Sequence, residues 1–281
     1  MRNRTLIGAV AMAAVLGASA TPAQAFDDTK YPDFKGQWRP VGGPMRFDTL
    51  KGWGQGQGAP LNAKYQAIFE ANLEDQAAGG QGTTPTFTCI SPGMPRVTNG
   101  YGQMEIVITP QTTHILVQHI HDNRRIFTDG RDWPAVIEPT LIGYSIGKWV
   151  DTTGGGRYDA LEVETRGFKG PRAFDETGLP LHVDNQSIFK ERIWRDKADP
   201  NILHDEITTI DHALTRPWTV DKRDVHNPDP HPDWIEFYTT ENNAQIVIGK
   251  ENYFLSGDGL LMPAKKNQAP PDLRYFKQTG K

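Results

Sequence analysis

Three groups of residues have types and spacings that suit chemistry. Gly143-Tyr144-Ser145-Ile146-Gly147 fits the G-x-S-x-G pattern of a nucleophile elbow, in which a strand delivers Ser to a sharp turn and a helix follows. Here the continuation is Lys148-Trp149-Val150 and then Thr152-Thr153-Gly154-Gly155-Gly156, which reads as strand and turn. Ser145 is therefore read as a strand residue rather than a hydrolase nucleophile, with Gly permitting a bend and Trp149 packing at one end. The second group is His119-Ile120-His121. Residues two apart on a strand share a face, so both imidazoles could meet one metal ion. A third ligand would have to come through folding from His182, His204, Asp129 or Asp205, because His114 falls on the opposite face and no H-E-x-x-H is present. The expectation is no metal, with His121-Asp122-Asn123 opening a polar turn and His119 and His121 kept as proton-transfer candidates.

The third group is ionisable residues inside strand-like runs. In Leu203-His204-Asp205-Glu206-Ile207, Asp205 shares a face with Leu203 and Ile207, while His204 and Glu206 share the other. Glu191 lies with Phe189 and Ile193, and Glu236 with Trp234 and Tyr238. An inward ionised group must be paired or must shift its pKa, and shifted groups in a cavity are what acid–base catalysis uses. Asp205 and Glu191 are the expected acid or base, with Tyr144 as a donor. Arg125 and Arg131 would orient an anion, and Trp149 and Trp234 would contact substrate. The competing structural account pairs Arg125 or Arg192 with Asp129 or Glu191. Asp129-Gly130-Arg131 is equally consistent with a hairpin turn carrying a surface charge pair.

The elements that must position these groups are mostly strands. From Phe87 onward, short runs rich in Ile, Val, Thr and aromatics recur between Gly, Pro, Asn and Asp: 104–109, 114–120, 125–128, 142–150, 160–165, 187–194, 202–210, 234–240 and 245–248. No helical pattern separates them, which predicts an antiparallel meander of roughly nine or ten strands. Closure into a β-barrel removes exposed edges; a curved open sheet or a sandwich is the alternative. One helix is expected over 62–76, with Tyr65, Ile68, Phe69 and Leu73 on its apolar stripe. Before it, 26–60 reads as a Gly/Pro-rich aromatic arm with Trp38 and Trp53 as anchors. Residues 26–85 are thus expected as arm and helix and 86–281 as the barrel domain.

The first 25 residues read as an address. Arg2 and Arg4, the apolar run 6–18 and Ala23-Gln24-Ala25 form a signal-peptide pattern with cleavage near Ala25, predicting a periplasmic or secreted product. The 281 residues carry 30 Lys+Arg against 34 Asp+Glu, and the leader removes two Arg and no acid. No basic face suits a phosphate backbone, so nucleic acid is not an expected partner. No later run is long enough for a membrane span. The lone Cys89 excludes an intramolecular disulfide and reads as a small buried apolar residue.

Several ordered segments carry a resemblance: Thr128-Asp129-Gly130-Arg131, Glu138-Pro139-Thr140, 143–149, 162–168 and Glu241-Asn242-Asn243. In that order they resemble a large family of uncharacterised secreted bacterial proteins, over roughly 87–243. The chain departs from the family's pattern at Tyr144, where a His is expected, and at the Gly154-Gly155-Gly156 insertion. The strand order is also broadly lipocalin-like. The resemblance implies a lipocalin-like barrel and supplies no activity. The expectation for function is a cofactor-independent acid–base enzyme of lyase, isomerase or hydratase type, acting on a small apolar or aromatic molecule inside the barrel. The alternative is a non-catalytic carrier of a hydrophobic small molecule. A homo-oligomer is left open.

Overall fold

The computed structural model describes residues 26–42, 45–88, 90–118, 120–235, 245–249 and 251–271. Nine strands close a barrel in sequence order: β1 (Gln37–Pro40), β2 (Met104–Ile108), β3 (Thr112–Val117), β4 (Ile120–Phe127), β5 (Tyr144–Val150), β6 (Ala160–Arg166), β7 (Ile188–Arg195), β8 (Ile202–Ile210) and β9 (Trp218–His226). β1 closes the ring by pairing with both β2 and β9.

The meander is not antiparallel throughout. β4 and β5 run parallel, joined by the pairs Ile126↔Ser145 and Phe127↔Ile146. Geometry requires such a junction, because nine strands in a ring cannot reverse direction at every step and still close. The 128–143 connection returns the chain so that β5 starts beside the end of β4. Gly147 makes the junction close: a Cβ there would lie 2.6 Å from Ile126 Cγ2. Gly143, just before β5, has φ +78°, and an added Cβ would lie 2.8 Å from the Arg166 carbonyl oxygen. The glycines of the G-x-S-x-G match thus serve backbone turning and strand approach. Ser145 faces inward and its hydroxyl meets Thr165 Oγ1 at 2.8 Å.

Two barrel strands escape the sequence pattern. β1 comes from the segment expected as an arm, and β9 reads as polar because its inward positions include Lys222 and Asp224. The expected strand at 234–240 is not seen at Trp234 and Ile235, and 236–240, with Glu236, lies outside the described residues. A separate three-stranded antiparallel sheet holds β10 (Gln245–Ile248), β11 (Glu251–Leu255) and β12 (Leu261–Pro263).

The expected helix is α1 (Ala63–Ala77). Asn62 caps it by accepting from the Tyr65 N–H at 3.1 Å, satisfying a donor that the first turn leaves free. Tyr65 and Phe69 are buried, and Leu73 packs against the core, whereas Ile68 is exposed. Among the described residues no helix is long and apolar enough to cross a membrane.

Both barrel ends are stoppered by aromatics. At one end Phe34 and Tyr31 pack on Trp149, with ring centroids 5.7 and 5.2 Å apart, and the Trp38 indole donates to the Phe34 carbonyl at 3.0 Å. At the other, Phe47, Phe174 and Trp218 form a triangle of rings about 5 Å apart.

Candidate active site

The period-two alternation of the strands decides which side chains enter the barrel. β7 sends in Phe189, Glu191 and Ile193, and β8 sends in Leu203, Asp205, Ile207 and Thr209. β9 adds Trp218, Val220, Lys222 and Asp224, while β4 adds Arg124 and Ile126. Register stacks them in layers. Asp205 lies directly across from Lys222 on β9 and from Ile193 on β7, and Leu203 lies across from Asp224.

One ion pair in this interior is complete. Arg124 donates to both Glu191 oxygens, at 2.8 and 2.6 Å, with both side chains essentially without solvent contact. The planar fork suits a carboxylate, and such bidentate pairing is the arrangement that holds a buried charge pair. Burial alone would weaken the Arg124 charge, but the Glu191 charge and hydrogen bonds more than offset it and its pKa is raised. The pairing that the sequence suggested for Arg125 belongs instead to its neighbour. Arg125 points out and lies over the Phe127 ring at 5.9 Å.

The other three groups are not neutralised in this way. Asp205 Oδ1 and Lys222 Nζ have no hydrogen-bond partner, and Arg124 Nε also lacks one. Burial drives the Asp205 pKa well up, and the Glu191 charge adds to it, against the pull of Arg124 and Lys222. Burial lowers the Lys222 ammonium to about 8 despite Asp205 and Asp224. Burial raises Asp224 to about 7, against the pull of Lys222. Lys222 Nζ lies 4.8 Å from the centroid of Phe47, so its stem runs toward the Phe47–Trp218 end. The interior therefore holds a carboxyl whose pKa is strongly raised, an amine and a carboxyl brought to about 8 and about 7, and a guanidinium–carboxylate pair. Such a set can donate and accept protons at neutral pH.

No family model, curated protein or solved structure matches this chain.

The sequence candidates divide by strand face. Asp205 and Glu191 are inside together, and Trp149 caps that interior at the Phe34 end with its indole nitrogen lacking a partner. Tyr144, Arg131 and Arg125 lie on the outer face or beyond it, apart from the interior set. There Arg131 pairs with Asp129 at 2.6 Å, lies 3.8 Å over Phe127 and donates to the Tyr144 hydroxyl at 3.3 Å. The Tyr144 ring lies tilted against Phe127, with centroids 5.0 Å apart, and approaches Trp133. Trp234 is exposed in a loop. His119 and the His121 side chain lie outside the described residues.

Three interior groups were missed: Arg124, Lys222 and Asp224. The signal for the last two was present in Trp218-Thr219-Val220-Asp221-Lys222-Arg223-Asp224-Val225, where two apolar positions set the inward phase and Lys222 and Asp224 continue it. His204 points outward, stacked on Trp194 at 4.7 Å and held between Asp221 and Asp196.

A cleft of about 890 Å³ opens beside the stoppered end, between segment 26–36 and β2. Its walls include Tyr31, Phe34, Ile106 and Ile108. It arises because β1 pairs with β2 only at Glu105 and Met104, leaving 106–108 without a strand on that side.

Proposed function

We propose that the barrel interior is the site of a cofactor-independent acid–base enzyme of lyase, isomerase or hydratase type, acting on a small apolar or aromatic molecule. Asp205 is the proton donor, since burial, with the Glu191 charge beside it, raises its carboxyl pKa well above the ordinary value. Asp224, titrating near neutrality, is the matching base, and Lys222 stabilises negative charge as it develops. Glu191, with both oxygens engaged by Arg124, acts as a fixed charge that holds the Asp205 proton. The observation that carries this reading is that Asp205 Oδ1 and Lys222 Nζ, on paired positions of β8 and β9 in the interior, have no hydrogen-bond partner. A carrier of purely apolar ligands would need those charges paired off. The cleft at the Phe34 end supplies the approach, and displacement of Phe34 and Tyr31 admits the molecule. The leader-like first 25 residues support a periplasmic or secreted location.

The test is solvent deuterium incorporation, followed by NMR, across a panel of small enolisable and aromatic compounds, together with titration of a hydrophobic fluorescent probe. The expected outcome is exchange into at least one compound that disappears in Asp205→Asn. Tight stoichiometric probe binding with no exchange anywhere in the panel would establish the carrier instead.

A further inference from the structure

A second cluster of ionisable side chains lies outside the barrel interior, where the connection into β7 meets the turn after β8. His182 Nδ1 lies 2.9 Å from Asp184 Oδ1, and His212 Nδ1 lies 2.6 Å from Asp184 Oδ2. One potential ligand atom from each residue falls within 4.8 Å of the other two. The two imidazoles meet edge to face with centroids 5.5 Å apart.

Each carboxylate oxygen of Asp184 therefore faces one imidazole nitrogen. His182 Nδ1 also lies 3.2 Å from the Asp184 backbone nitrogen, which fixes the ring close to its own loop.

The backbone around the cluster is held independently of any ion. The His182 N–H donates to Asp211 Oδ1 at 2.9 Å, and buried Asp211 also accepts from Ser187 Oγ at 2.6 Å and the Ala213 N–H at 2.8 Å. The His182 ring rests on Tyr65 of α1, with centroids 5.2 Å apart. The His212 carbonyl accepts from the Asn62 side-chain amide at 2.8 Å. The main chain is thus preorganised, and the exposed His212 ring meets Asp184 at its open side.

We propose that His182, Asp184 and His212 form a binding site for one divalent transition-metal ion of zinc type. Two imidazole nitrogens and one carboxylate oxygen are the donor set that borderline ions such as Zn²⁺ prefer over hard Mg²⁺ or Ca²⁺. Three protein ligands leave a further position for water or a small anion. A bound ion ties the β6–β7 connection to the β8–β9 turn and, through Asn62 and Tyr65, to the start of α1.

The experiment uses the metal-stripped full mature chain, titrated calorimetrically with ZnCl₂ at neutral pH, with melting followed in parallel. One zinc per chain is expected, with the melting temperature rising by about 5–10 °C when zinc is held a hundredfold above its Kd. Cobalt in place of zinc should give the visible bands of a low-coordinate N/O site. His212→Ala, at an exposed position that leaves folding intact, and Asp184→Asn should each abolish saturable binding and the melting shift. Absence of saturable zinc binding to the parent chain overturns the proposal. So does binding that survives His212→Ala combined with Asp184→Asn, because the ion then sits elsewhere.

Discussion

Asp224→Asn gives the sharpest physical test of the interior. The folded-state pKa of this carboxyl is raised from 3.8 to about 7 by burial. Between those values the native protein holds a proton that the unfolded chain has released, so stability falls as pH rises through the window. At about 1.36 kcal/mol per unit, the window from 3.8 to about 7 amounts to roughly 4 kcal/mol. The penalty is absent below the unfolded value and complete above the folded one. Asn resembles the neutral acid in shape and never ionises, so the variant escapes this loss. Urea denaturation at half-unit steps from pH 4 to 8 should show the variant gaining on the parent steadily up to neutrality. The gain corresponds to about 8–16 °C in melting temperature, reduced by whatever attraction to Lys222 is lost. Parallel curves for the two proteins between pH 4 and 7 would refute the assignment of Asp224 as a buried carboxyl titrating near neutrality.

Three further outcomes follow from the same geometry. Lys222 has its pKa lowered from 10.5 to about 8, so the unfolded chain binds the extra proton between those values. The parent should gain about 3 kcal/mol from pH 8 to 10.5 relative to Lys222→Met, as read by denaturant midpoints. Arg124→Met strands the buried Glu191 charge and should destabilise by about 3–5 kcal/mol, and adding Glu191→Leu should restore most of the loss. A double-mutant cycle in guanidinium that finds the two changes additive would contradict the pairing. Gly147→Ala drives a methyl into Ile126 Cγ2 and should lower stability by about 1–3 kcal/mol, with increased amide exchange at the β4–β5 junction.

The amino-acid sequence by itself determined the strand-rich class, the helix α1 and the strands β2 to β8, except that it placed a turn at His121-Asp122-Asn123, where the structure already has β4 running from Ile120. Their branched and aromatic runs fit a pleated, half-buried surface and are bounded by residues that turn the chain. It also determined that Asp205 shares a face with Leu203 and Ile207, because alternation along a strand is local. Which face of each strand turns inward was a tertiary decision, and so was the choice between Arg124 and Arg125, neighbours that point to opposite sides of β4. β1 and β9 were hidden for related reasons. β1 is four residues long and gains its hydrogen bonds only when the ring closes, and the inward face of β9 carries charges tolerated only beside Asp205 and the Arg124–Glu191 pair. The parallel β4–β5 junction follows from the number of strands in the ring, which no segment encodes alone. The His182–Asp184–His212 cluster joins residues 28 positions apart, brought together because Asp211 anchors the backbone of one loop beside the other. Local pattern depends on a few neighbouring residues, whereas proximity between distant ones exists only after the barrel has closed.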